Sequence, residues 1–235
     1  MEEQNLNIKQ SFPLKLKICG MGTPDNIRKM ESLKPDYLGF IFYEGSPRNF
    51  INEIPEISEK IKKTGVFVDA PEDFIVQKTL QHKLNAIQLH GEETPEYCRK
   101  LRTKFQKMQA GVGLEIFKVF SIKEEFDFSL LNLYEGIVDF FLFDTKGENK
   151  GGNGISFNWE LLKNYSSATP FILSGGIGME DVESLKKLKD YFNKTGNSRV
   201  FYGIDVNSKL EISPGEKDKN LLEEFNKKLT YQGLR

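Results

Sequence analysis

The sequence predicts an α/β protein folded as a single parallel (β/α)8 barrel, the TIM-barrel architecture. Three observations carry this expectation. Short β-rich apolar runs alternate with charged segments of helical periodicity, eight of each. The alternation never breaks, which argues for parallel strands joined by crossovers. The chain has 235 residues, enough for eight such units around one core. An open, doubly wound sheet is the runner-up.

Strands are expected at Leu14–Cys19, Tyr37–Phe42, Gly65–Val68, Ala86–His90, Glu115–Phe120, Asp139–Asp144, Pro170–Ser174 and Val200–Val206. Helices are expected at Pro24–Leu33, Glu53–Lys63, Pro71–His82, Pro95–Lys107, Lys123–Leu131, Trp159–Tyr165, Met179–Phe192 and Lys219–Leu229. Thr23-Pro24 and Thr94-Pro95 each set a capping side chain before a proline at the first helical position. Glu180 and Asp181 put negative charge at the start of the seventh helix. The sixth helix is short and the 145–156 loop before it is long, with a glycine run at 151–154 that reads as a hinge. Residues 1–13 read as a loose extension and 14–235 as the barrel, with no internal boundary.

Composition narrows the function. The chain is 38% hydrophobic and 29% charged, with a formal net charge of −1. No broad field favours nucleic acid or an anionic membrane. No apolar run approaches the roughly 20 residues needed to span a bilayer, and the first residues lack the apolar centre of a signal peptide. Two cysteines, Cys19 and Cys98, make no disulfide scaffold and no zinc spacing. The expectation is a cytoplasmic protein, monomer or homodimer, acting on a small molecule.

Alternation along the first strand puts Lys15, Lys17 and Cys19 on the inward face, so Cys19 stands at the C-terminal mouth of the barrel. A thiol there can serve as a base if cationic groups stabilise its thiolate; the alternative is a small buried hydrophobe. In the sixth strand, Phe141 and Phe143 face the helices while Leu142 and Asp144 face the axis. Withdrawal of water favours the neutral form of a carboxyl, which suits a general acid. A base and an acid across one pocket can move a proton between carbons.

Ser174-Gly175-Gly176 closes the seventh strand, and Asp205-Val206-Asn207-Ser208 closes the eighth. Loops at these two positions hold a substrate phosphate in many barrels, because glycine lets backbone N–H groups approach an anion. Arg48 follows the second strand and offers a planar fork for a carboxylate. His90 ends the fourth strand beside the face of Gln88, placed to orient substrate or to serve as a structural histidine.

These residues resemble the phosphoribosylanthranilate isomerase family of tryptophan biosynthesis. The matching stretches include Lys17-Ile18-Cys19-Gly20, Gly39-Phe40-Ile41-Phe42-Tyr43, Ser46-Pro47-Arg48, Gln88-Leu89-His90-Gly91-Glu92-Glu93, Asp144-Thr145-Lys146, Leu173-Ser174-Gly175-Gly176 and Ser213-Pro214-Gly215-Glu216-Lys217-Asp218. The resemblance implies an Amadori rearrangement of N-(5′-phosphoribosyl)anthranilate without metal or organic cofactor. It implies Asp144 as the acid that protonates the ribose ring oxygen and Cys19 as the base that removes the C2′ proton. It implies Arg48 on the anthranilate carboxylate. Phosphate would lie in the loops of Gly175, Gly176, Asp205, Asn207 and Ser208. The related indole-glycerol-phosphate synthase chemistry would want a lysine acid and a glutamate, where this chain has cysteine and aspartate.

Two positions depart from the family pattern. Gly20-Met21-Gly22 stands where Gly-Ile-Thr is usual, and Lys209 replaces a glycine of the phosphate loop. Lys209 is expected to sacrifice a left-handed or close-approach position and to compensate as a phosphate partner. One expectation goes beyond the resemblance. Lys17 and Asp205 lie on the inward faces of strands that adjoin in a closed barrel, so they should form an ion pair whose positive end favours the Cys19 thiolate.

Overall fold

A computed structural model describes residues 12–108, 113–145 and 158–235. Eight parallel strands close into a barrel in chain order. They are β1 Lys15–Ile18, β2 Tyr37–Ile41, β3 Lys62–Phe67, β4 Ala86–Leu89, β5 Glu115–Ile122, β6 Phe140–Thr145, β7 Phe171–Leu173 and β8 Phe201–Val206. The barrel shuts by pairing β1 with β8, in a register that sets Lys17 opposite Asp205. Among the described residues, five α-helices pack outside: α1 Pro24–Glu31, α2 Glu72–His82, α3 Pro95–Lys107, α4 Val182–Lys194 and α5 Lys219–Tyr231. Thr23 and Thr94 cap α1 and α3 as expected, each accepting from a backbone N–H in the first turn. Residues 1–11 of the expected extension and the glycine run 151–154 lie outside the described residues.

Three expected helices take another form. Residues 53–61 are not helical, and Lys62 already belongs to β3, opposite Tyr37. Pro55 is the reason: it disfavours helical backbone at residue 54, and too few residues remain before the sheet ladder begins. Lys123–Leu131 and Trp159–Tyr165 are replaced by short 3-10 helices, Phe128–Leu133 and Trp159–Asn164. Asp127 and Asn158 start these turns by accepting a hydrogen bond from the residue two places on. Beyond β8 an antiparallel hairpin appears that periodicity did not reveal, β9 Glu211–Ser213 and β10 Glu216–Lys217.

The two faces of each strand do different work. Outward residues such as Ile18, Phe40, Phe67, Phe141, Phe143 and Phe171 join the helices in one large core. Inward residues Tyr37, Ala86, Phe117, Val119, Phe140, Leu142 and Ile172 fill the barrel's interior. The N-terminal end is plugged by polar groups. Tyr37 donates to Glu115 and meets the Tyr202 hydroxyl, both at 3.0 Å, while Lys62 pairs with Glu115. The opposite end is left for chemistry. Among the described residues no helix is long and apolar enough to cross a membrane.

Lys189 on α4 is buried, and its ammonium donates to the carbonyls of Ser198, at 2.8 Å, and Phe201, at 3.2 Å. Burial pushes its pKa down to about 8. In the unfolded chain lysine titrates near 10.4. Between these values the unfolded state binds more protons, so this group's contribution to stability rises with pH. The urea midpoint of the wild type relative to Lys189→Met is therefore expected to increase from pH 8 to pH 10. A flat difference would show that Lys189 keeps its charge equally in both states.

Candidate active site

A cavity of about 550 Å³ opens at the C-terminal ends of the strands. Nine residues selected from the sequence line it: Cys19, Arg48, His90, Asp144, Gly175, Gly176, Asp205, Asn207 and Ser208. Cys98 is buried on α3, away from it.

Cys19 lies one residue past β1, anchored by its backbone N–H to Val206 of β8 at 2.9 Å. Gly39 of β2 faces it. A Cβ on Gly39 would fall 2.8 Å from the Cys19 sulfur and 3.1 Å from Lys17 Nζ. The missing side chain is what lets ammonium and thiol share this corner. Lys17 is 1% exposed and donates to Asp205 Oδ2 at 2.8 Å. Burial works against its charge, yet Asp205 and Cys19 hold its pKa above the ordinary lysine value. Burial pushes the Cys19 thiol up; Lys17 pulls it down, Asp205 pushes it up, and Lys217 adds a smaller downward pull. Asp205 Oδ1 has no hydrogen-bond partner among the described residues.

Asp144 is the penultimate residue of β6, 5% exposed. Its Oδ1 accepts from the Thr145 N–H at 2.9 Å, and Oδ2 lies 3.4 Å from His90 Nε2. Gln88 Nε2 lies 2.9 Å from His90 Nδ1. An amide nitrogen can only donate, so a neutral His90 carries its proton on Nε2, the nitrogen 3.4 Å from Asp144 Oδ2. Gly175 takes φ +93°, and a Cβ there would fall 2.3 Å from Thr145 Oγ1. The β7 loop therefore packs directly on the acid's neighbour, and only glycine fits.

The β8 side holds a network that sequence reasoning missed. Glu211 binds Arg48 through Nε at 3.0 and 3.1 Å and also through Nη2. Its Oε2 also accepts from Lys217 at 2.7 Å. Lys217 in turn donates to Asn207 Oδ1 at 2.6 Å. Burial opposes the charge on Glu211, but Arg48 and Lys217 hold its carboxyl below the usual range. The only signal was that Glu211 and Lys217 stand inside or beside the matched motifs; nothing local announces that a hairpin folds them inward.

The two departures from the family pattern have physical accounts. A Cβ on Gly22 would fall 2.7 Å from the Gly215 carbonyl, so this glycine allows the hairpin tip to pack on the β1 loop. Lys209 does not meet the expectation set for it. Its backbone is not left-handed, and its ammonium binds Glu180 and lies 3.6 Å from Asp181 Oδ2 rather than lining the cavity. Two carboxylates at the start of α4 outcompete the cavity for its charge. Among the described residues no group of three or more His, Cys, Asp or Glu side chains is placed to hold a metal ion.

A closed (β/α)8 barrel with a thiol, a carboxylate and an arginine around one cavity at the C-terminal ends of its strands has the architecture of a barrel-class enzyme. Comparisons with known proteins give the family. A sequence model described as N-(5′-phosphoribosyl)anthranilate (PRA) isomerase matches residues 16–228. The N-(5′-phosphoribosyl)anthranilate isomerase of Parabacteroides distasonis is 40% identical over 226 residues, covering 93% of this chain and 95% of that one. The crystal structure of the Thermus thermophilus phosphoribosyl anthranilate isomerase superposes with a TM-score of 0.73 at 25% identity, covering 94% of this chain and all (100%) of that one. Another isomerase was solved with reduced 1-(o-carboxyphenylamino)-1-deoxyribulose 5-phosphate; it matches with a TM-score of 0.67 at 27% identity, covering 93% of this chain and 99% of that one. The chain belongs to the N-(5′-phosphoribosyl)anthranilate isomerase family.

Proposed function

We propose that this protein converts N-(5′-phosphoribosyl)anthranilate to 1-(2-carboxyphenylamino)-1-deoxyribulose 5-phosphate, a step of tryptophan biosynthesis in the cytoplasm. The observation that carries the reading is that Cys19 and Asp144, from opposite parts of the chain, line one cavity with Arg48 and the β7 and β8 loops.

Asp144 gives its proton to the ribose ring oxygen. The C1′–O bond breaks, and the nitrogen lone pair forms a protonated imine. The Cys19 thiolate then takes the C2′ proton, and those electrons neutralise the imine to an enolamine. Tautomerisation gives the ketone. Lys17 supports the step by stabilising the thiolate, and Asp205 holds Lys17 in place. Arg48 takes the anthranilate carboxylate. The loops of Gly175, Gly176, Asn207 and Ser208 take the phosphate. His90, with its tautomer set by Gln88, orients Asp144.

The direct test follows the fluorescence of phosphoribosylanthranilate with purified protein. An enzyme-dependent loss of substrate with formation of the ketose is expected. Decay no faster than the uncatalysed background would refute the assignment.

A further inference from the structure

We propose that Glu211, by gripping Arg48 and Lys217 together, sets the preference of this enzyme for a carboxylated aromatic amine. The inference rests on the reading that Arg48 meets the substrate carboxylate. It concerns a different residue, one that lies outside the cavity lining and acts through Arg48 as a positioning residue.

The geometry is that of a brace. The Glu211 carboxylate is 6% exposed and lies between two cations, Arg48 at 10% and Lys217 at 0% side-chain exposure. It occupies the Nε and Nη2 edge of the guanidinium. Arginine otherwise has many rotamers, and its rigid fork selects a carboxylate only when its plane is held. The stem is held as well. A Cβ on Gly20 would fall 2.8 Å from Arg48 Cδ and 2.7 Å from Asn207 Oδ1, and Gly20 has φ +73°.

The brace is itself anchored. The backbone N–H of Lys217 donates to Asn26 Oδ1 at 2.9 Å, and its carbonyl accepts from Asn26 Nδ2 at 2.9 Å. Asn26 sits buried on α1. The hairpin is thus stitched to a helix, and the Glu211 carboxylate is presented from a fixed frame. Through Lys217 the same frame holds Asn207, which lines the proposed phosphate side. The spacing between the two anion positions is therefore built into the protein before substrate arrives.

Glutamine is nearly the same shape as glutamate but does not replace it. Its carbonyl oxygen accepts on one side only, and on the other side its NH2 points a donor where the second carboxylate oxygen had accepted. Arg48 would lose its fixed plane while keeping its charge.

The test compares two substrates. One is phosphoribosylanthranilate. The other is phosphoribosylaniline, its decarboxylated analogue, which retains the reacting centre and phosphate. The ratio of their kcat/KM values reads the carboxylate contact alone, because effects on the fold or on the proton transfers cancel. Glu211→Gln is expected to lower this ratio by at least about tenfold, over and above any loss the two substrates share through Lys217 and Asn207. Glu211→Asp keeps the charge and shortens the reach, so its ratio should fall between wild type and Glu211→Gln. It also provides the reading if the amide variant folds poorly. Arg48→Ala should bring the ratio close to its lower limit. Equal losses on both substrates in the Glu211 variants, with the ratio unchanged, would reduce Glu211 to scaffold and overturn the proposal. An unchanged ratio in Arg48→Ala would instead overturn the reading of Arg48 on which it rests.

Discussion

Cys19→Ala and Asp144→Asn are each expected to lower turnover of phosphoribosylanthranilate by at least about 10²-fold, the low end for a positioned base or acid. The losses have different origins. Alanine at position 19 leaves the C2′ proton with no thiolate to accept it. Lys17 and Lys217, which favour the thiolate form, cannot substitute, since a protonated ammonium has no free electron pair. Asparagine at 144 keeps an oxygen for the Thr145 N–H, which holds Oδ1 at 2.9 Å, so the backbone of the strand end is undisturbed. It then points its NH2 at the Nε2–H of His90, two donors face to face, and it has no acidic proton to give. Steady-state fluorescence of substrate consumption, with circular dichroism to verify folding, measures both. Turnover within about tenfold of wild type in either folded variant would remove that residue from the proton transfers.

Lys17→Met is expected to have the second large effect, on stability and thiol chemistry together. Asp205 would be left buried at 5% exposure without its cation at 2.8 Å. Removing one member of a buried pair costs about 3–5 kcal/mol, a large share of the stability of a domain. The companion double variant, Lys17→Met with Asp205→Asn, removes both charges and should regain most of that loss in urea denaturation. Activity should not return with it. Without the ammonium, desolvation acts on Cys19 with less opposition, and its thiolate fraction at neutral pH falls. Alkylation of Cys19 by iodoacetamide as a function of pH reads this directly. The midpoint should move upward in the double variant, while buried Cys98 provides the unreactive comparison. An unmoved midpoint would separate Lys17 from the thiol and leave it only a structural ion pair.

These expectations rest on features of unequal legibility. The strand pattern was readable because inward and outward residues alternate: Phe141 and Phe143 against Leu142 and Asp144 put the Asp144 side chain at the cavity from local order alone. The Lys17–Asp205 pair was readable for a further reason. A closed barrel of strands in chain order forces the first and last strands together, so their 188-residue separation carries no ambiguity once the fold class is known. The helices were less readable. Helical periodicity over 53–63 was overruled by one proline and by the claim of the β3 ladder on Lys62.

The network around Glu211 was not readable from local pattern. Glu211 and Arg48 are 163 residues apart, and neither carries a local pattern that names the other. A carboxylate in a loop looks the same whether water or two cations surround it. Lys209 makes the same point in reverse: its charge suggested a phosphate partner, and Glu180 and Asp181 claim it instead. By itself the sequence determined the barrel, the face of each strand and the thiol and carboxylate at two strand ends, because these follow from periodicity and chain order. Only the tertiary structure decided which charges meet. Such pairing depends on distances of a few ångströms between segments far apart in the chain, set by where the hairpin and the bare glycines let them approach.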